Sequence, residues 1–235
     1  MDLLQAVGEI PAGPIVDLGC GSGSVGPALR GFDRPLIGVD ASPAMLAEAH
    51  GTGVYDTLIE GDIAQWVPEI PPALIYSNAA LHWVPDHQTV FKRLSGVLAP
   101  GGVLAVQMPH QNNAPSHRVW RSLADDLFHG AVDTKNGPSI LLAAQYHHLL
   151  STLGAVSIWE TEYYQVLDAC DDAHPVRRFT EATFARPILA QLSDADQQVL
   201  ISAYEDVMEK AYPRSGDGTV LFPFRRLFVV LKTEA

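Results

Sequence analysis

The sequence predicts an α/β fold built on a parallel sheet. Short apolar runs alternate with helical segments from the start of the chain to Met108. The first run, Pro14-Ile15-Val16, passes through Asp17 and Leu18 into three alternate glycines, Gly19, Gly21 and Gly23, and Ser24 to Arg30 behind them reads as a helix. Polar residues and glycines gather at the ends of the apolar runs, where parallel sheets place their ligands.

Taken in order, Met1 to Gly8 is a short helical piece carrying Leu3, Leu4 and Val7, and Ile15 to Leu18 is strand one. Leu36 to Asp40 is strand two. Ser42 then caps a helix that has Pro43 at its first position. Val54 to Ile59 is strand three, closed by Glu60-Gly61-Asp62, and Ala73 to Tyr76 is strand four, running into Ser77-Asn78-Ala79-Ala80. A helix over Thr89 to Leu98 stops at Ala99-Pro100-Gly101-Gly102, and Val103 to Met108 is strand five. The rhythm then changes. Helices are expected over Ser116 to His129 and about Ser139 to Leu153, each followed by a glycine. Val156 to Tyr164 is strand six. Pro175 to Tyr212 reads as largely helical, with Ser193-Asp194-Ala195-Asp196 as a capping start, and Leu227 to Lys232 is the last strand. Helices inserted before that strand form a cap over the ligand edge of the sheet. One domain over 1–235 is expected, with cap elements around 111–153 and 168–212.

Composition narrows the function classes. The formal charge of −12, from 27 acidic and 15 basic residues, disfavours a nucleic-acid partner, which usually needs a basic patch. No apolar run approaches the roughly 20 residues of a membrane span. The first ten residues lack the charge and apolar core of a secretory leader. Cys20 and Cys170 are the only cysteines, which fits a reducing compartment, so a cytoplasmic location is expected. No histidine stands at metal-ligand spacing from another histidine or cysteine, so no metal is expected. A monomer and a dimer both remain open.

The glycine loop matches two ligand patterns. Gly21-Ser22-Gly23-Ser24-Val25-Gly26 fits the dinucleotide spacing, which alone is weak. Asp40, at the end of strand two, suits the ribose of either a dinucleotide or an adenosyl group. Asp17 separates them, because a carboxylate facing a pyrophosphate is repelled, whereas a cationic ligand tolerates it. Asp62, in the turn after strand three, is placed to accept from an adenine amino group.

Together these residues resemble the class I S-adenosylmethionine-dependent methyltransferases. The resemblance continues through Ser77-Asn78-Ala79-Ala80-Leu81-His82-Trp83-Val84-Pro85-Asp86-His87, Leu98-Ala99-Pro100-Gly101-Gly102, Ala105-Val106-Gln107-Met108-Pro109 and Ile158-Trp159-Glu160-Thr161. With Leu221-Phe222-Pro223-Phe224-Arg225-Arg226-Leu227-Phe228, the set is similar to the trans-aconitate methyltransferase family over nearly the whole chain. The resemblance implies a Rossmann-like, seven-stranded, mostly parallel sheet with flanking helices, an antiparallel last strand and S-adenosyl-L-methionine as cofactor. By it, Asp17, Gly19, Gly21 and Gly23 line the methionine and ribose part. Asp40 takes the ribose hydroxyls with Ser42 and Met45 nearby, and Asp62 and Ile63 hold the adenine. Asn78 and Ala79 face the sulfonium centre, and Trp83 walls the pocket.

The acceptor implied is a small polycarboxylate such as trans-aconitate. An ionised carboxylate is itself the nucleophile, so alignment and exclusion of water matter more than acid–base groups. Arginines suit the other carboxylates. Arg226 is the first candidate and Arg186 the second, with Tyr146 as a hydroxyl donor. Two alternatives stand beside this. His82 or His110 serves as base for a hydroxyl or amine acceptor in an O- or N-methyltransferase of a natural product. A non-catalytic, cofactor-binding regulatory protein is the other, since the chain opens close to strand one with less N-terminal helix than the family carries. Glu181 reverses the charge of a lysine in the family's cap.

Overall fold

The structure is a computed structural model that describes residues 2–134 and 140–234. The chain divides into two compact units. One holds residues 2–109, 140–160 and 227–234, and the other holds 110–134 and 161–226.

The first unit is organised on a seven-stranded sheet: β1 (Ile15–Leu18), β2 (Leu36–Asp40), β3 (Thr57–Glu60), β4 (Leu74–Asn78), β5 (Val103–Pro109), β6 (Gly154–Leu167) and β7 (Val220–Thr233). Their order is β3-β2-β1-β4-β5-β7-β6, so the chain starts in the middle and reverses direction between β1 and β4. The first five strands are parallel, with Asp17 in register with Gly38 and Tyr76, and Asn78 with Gln107. β7 ends where β5 begins, since Thr233 N–H donates to the carbonyl of Gly102 at 3.0 Å. It therefore runs antiparallel.

The helices follow from their caps. α1 (Asp2–Val7) buries Leu3 and Val7, and α2 (Gly26–Leu29) is a single turn after the glycine loop. α3 (Pro43–Gly51) starts on Ser42, whose hydroxyl accepts from Met45 N–H. α4 (His87–Gly96) starts two residues earlier than expected, because the Asp86 carboxylate accepts from Thr89 N–H. α5 (Pro115–Phe128) carries its proline at the first turn, and α6 (Ala143–Leu150) is shorter than the expected helix, whose start at Ser139 lies outside the described residues. One face of the sheet packs Val16, Leu18, Ile75, Leu104, Val106 and Met108 against Phe91 and Leu94 of α4 and Tyr146 and Leu150 of α6. α6 thus belongs with the sheet.

Strand three begins three residues later than expected. Asp56 turns its carboxylate onto Leu36 N–H at 2.8 Å and onto Arg30, so the chain before Thr57 is spent on capping rather than pairing. The last strand is longer than expected and carries 220–226 into the second unit.

The second unit holds α5, α7 (Pro175–Thr180), α8 (Arg186–Leu189) and α9 (Asp194–Ala211). Trp120 stacks on Tyr204 at 3.8 Å between ring centres, and its indole donates to Thr180 at 3.0 Å. The stretch over 175–212, expected to be largely helical with a capped start at Ser193, has that start, and before it carries a π-helical turn, Glu181–Ala185. Pro187 has no N–H to return to the carbonyl one turn back, so the helix restarts at Arg186.

Candidate functional site

The glycine loop leaves β1 over the C-terminal edge of the sheet, and a cleft of about 730 Å³ opens there, within the size range of small-molecule sites. Gly19 has φ +78, and a Cβ at this position would lie 2.2 Å from the Cβ of Ala80. Its bare backbone lets the loop close on the β4 turn. Gly21 has φ +54 with open space where its Cβ would be, so the chain there faces the cleft directly. Gly23 packs behind, toward Tyr55 and Ala49, and does not line the cleft.

Asp40 ends β2 and ties the site together. Its carboxylate accepts from Gly21 N–H at 2.8 Å and from Ser42 N–H at 2.9 Å. Ser42 therefore orients Asp40 and caps α3 without lining the cleft. Asp17, in β1, is buried and accepts from the Tyr55 hydroxyl at 2.7 Å. Burial pushes its pKa up to about 6, the tyrosine opposes this, and the charge of Asp40 adds to it. Asp62 accepts from Ala64 N–H at 2.8 Å in the turn after β3. Met45, Ile63, Asn78, Ala79 and Trp83 complete the wall. Met45 and Trp83 are both exposed, at 38% and 52%, so neither is core packing.

Cys20, Ala80 and Val84 also line the cleft, as does Ser22 from the loop. The Cys20 thiol is held protonated, its pKa pushed up to about 12 by burial and by the charges of Asp17 and Asp40, so it supplies no nucleophile. Tyr55 was not legible as a site residue, because nothing in its local sequence shows that it reaches a carboxylate 38 positions earlier.

The donor set fits a cationic adenosyl ligand. Three carboxylates face the cleft, and no lysine, arginine or histidine is among its described lining residues. A pyrophosphate finds repulsion instead. The loop N–H of Gly21 is already committed to Asp40, and the helix behind is one turn long, so little anion attraction remains.

A methyltransferase-domain family model matches residues 16–106. A trans-aconitate 2-methyltransferase of Yersinia pestis (strain Pestoides F) is 42% identical over 94% of this chain and 86% of its own length. That of Azoarcus sp. (strain BH72) is 36% identical over 97% and 90%. The chain belongs to the trans-aconitate 2-methyltransferase family. It is an S-adenosylmethionine-dependent methyltransferase, which sets aside the regulatory reading. Among solved structures, the YcgJ protein of Bacillus subtilis superposes with a TM-score of 0.62 at 14% identity, covering 99% of this chain and 97% of that one. A putative methyltransferase of Bacillus halodurans gives 0.60 at 14%, covering 100% and 98%. These two share the fold.

The remaining candidates of this methyltransferase are dispersed. His82 is buried beside Trp83, its ring 4.8 Å from the indole, and its Nδ1 has no partner among the described residues. Burial, with the charge of His87 adding to it, lowers its pKa to about 4. His110 lines a pocket of about 270 Å³ in the second unit, with Gln111, Glu162, Tyr212 and Arg225. Tyr146 is instead a core residue, fully buried on α6 with its hydroxyl held by His87. Arg186 is exposed on α8. Arg226 is half-buried, its guanidinium 5.4 Å from the ring centre of Tyr163 and 5.5 Å from that of Phe224. Glu181 pairs with Arg177 at 2.5 Å, and Arg177 also holds Glu205 at 2.9 Å. No helix among the described residues is long and apolar enough to cross a membrane.

Proposed function

We propose that this enzyme methyl-esterifies a small polycarboxylate, with trans-aconitate as the leading acceptor. The observation that carries the reading is Arg226, a half-buried arginine whose Nε has no partner and which has no carboxylate paired to it among the described residues. In a chain with 27 acids and 15 bases, such a cation suits an anionic guest. The names of the curated relatives point the same way. Glu181, where the family's cap has a lysine, is engaged by Arg177, which it shares with Glu205.

Within this reading Asp62 and Ile63 hold the adenine, Asp40 the ribose and Asp17 the amino end. Asn78, Ala79 and Trp83 bound the reacting end. S-adenosylmethionine supplies an activated methyl group. The protein's task is to align a carboxylate oxygen with it and keep water out. No base is needed. A base whose pKa is about 4, as at His82, is poorly matched to deprotonating a hydroxyl or amine near pH 7.

The test is to incubate the enzyme with methyl-labelled S-adenosylmethionine and trans-aconitate, then treat the product with mild base. Label released by base identifies an ester, whereas base-stable label on another acceptor sinks the polycarboxylate reading. Arg226→Ala is expected to raise the acceptor KM by roughly 10–100-fold, the scale of a charged hydrogen bond, with cofactor affinity unchanged. Collapse of cofactor binding in that variant assigns Arg226 to the fold instead.

A further inference from the structure

β5 reads Val103-Leu104-Ala105-Val106-Gln107-Met108, an apolar strand interrupted once. Strands buried on both faces are ordinarily apolar throughout. Gln107 is 1% exposed, and neither its Oε1 nor its Nε2 has a hydrogen-bond partner among the described residues. Buried side-chain amides are nearly always satisfied, and an unsatisfied one needs an explanation.

Its position supplies one. Gln107 is in register with Asn78 on the neighbouring parallel strand, so the two amides leave the same face of the sheet about 4.8 Å apart. The backbone carbonyl of Gln107 accepts from Ala79 N–H at 2.9 Å. Asn78 and Ala79 both line the cofactor cleft, and β5 lies on the side of β4 away from the adenine end at β3. Gln107 therefore stands next in line beyond the reacting end.

We propose that Gln107 seats the reacting carboxylate of the acceptor, its Nε2–H donating to the oxygen that is not methylated. The proposal rests on the polycarboxylate reading above. Chemistry favours a neutral donor here. As the attacking oxygen forms its bond to the methyl carbon, the carbon–sulfur bond breaks and its electron pair stays on sulfur. The negative charge of the carboxylate and the positive charge of the sulfonium disappear together, and no proton moves. A guanidinium on that carboxylate would stabilise the full charge of the ground state more than the reduced charge of the transition state, which slows the step. An amide orients the group with a smaller penalty. Arginine belongs on the carboxylates that do not react.

The test is to titrate trans-aconitate calorimetrically into the enzyme loaded with S-adenosylhomocysteine, for wild type, Gln107→Met and Gln107→Glu. Both substitutions nearly conserve volume. Gln107→Met is expected to weaken trans-aconitate at least tenfold. S-adenosylhomocysteine affinity should stay within twofold, and Tm should be equal or higher because an unpaired amide is gone. Gln107→Glu is expected to weaken it further by repulsion. The acceptor KM should rise in parallel in turnover assays. Unchanged trans-aconitate binding in Gln107→Met overturns the role of Gln107 while the wild type's methylation of trans-aconitate keeps the reading standing. A fall in Tm in both variants assigns Gln107 to the fold and also overturns it. A wild type that neither binds nor methylates trans-aconitate removes the polycarboxylate reading and the proposal with it.

Discussion

Asp17 stands in β1 with its carboxylate on the Tyr55 hydroxyl and a pKa raised to about 6 by burial. Because the folded value is raised, its contribution favours the folded state at low pH and is lost as pH rises from about 4 through 6. A cation bound beside it acts in the opposite sense, stabilising the ionised form and drawing off a proton. S-adenosylmethionine affinity is therefore expected to fall as pH drops through 6, with proton release visible by calorimetry in buffers of different ionisation enthalpy. Asp17→Asn should flatten that profile, and an unchanged profile would take Asp17 out of the site. The acids at Asp17, Asp40 and Asp62 stand out in the sequence because each lies at or within two residues of a strand end at the ligand edge. The partner of Asp17 does not, since Tyr55 reaches it only once β2 and β3 have paired. Gln107 hides for a related reason: a lone glutamine is informative only when its neighbours prove unable to bond it.

At the scale of the element, the glycine loop contains two different kinds of glycine. Gly19 is required by close approach to Ala80, whereas Gly21 faces open space. Gly19→Ala is expected to cost about 2–4 kcal/mol of stability in urea unfolding, from overpacking and left-handed strain together. Gly21→Ala should cost about 1–2 kcal/mol from strain alone, yet weaken the cofactor, because its methyl enters the cleft. Equal stability losses in the two variants would contradict this division. The strands and most helix starts were legible from apolar runs and caps, with Ser42 and Ser193 each accepting an N–H three residues on. Element ends were less so. Asp86 displaced the start of α4 by accepting from Thr89 N–H, and Pro187, with no N–H to donate, interrupts the helical stretch that begins at Pro175.

For the whole molecule, the excess of acid is distributed so that the cleft at the C-terminal edge of the sheet is anionic, while Arg226 has no carboxylate paired to it among the described residues. A net charge of −12 repels the phosphate backbone at long range. Fluorescence anisotropy with labelled duplex DNA at low salt should therefore show no binding, and a salt-dependent isotherm would overturn that expectation. The sequence by itself determined the sheet, the glycine loop and the acids at its strand ends, because strand period, turn chemistry and strand-end position are local properties. Family membership followed from motifs spread along the chain. Tertiary structure alone decided that Tyr146 is core, that Glu181 and Glu205 share Arg177, and that the buried amide of Gln107 has no partner among the described residues. Each depends on which distant side chain arrives nearby, and no local pattern carries that information.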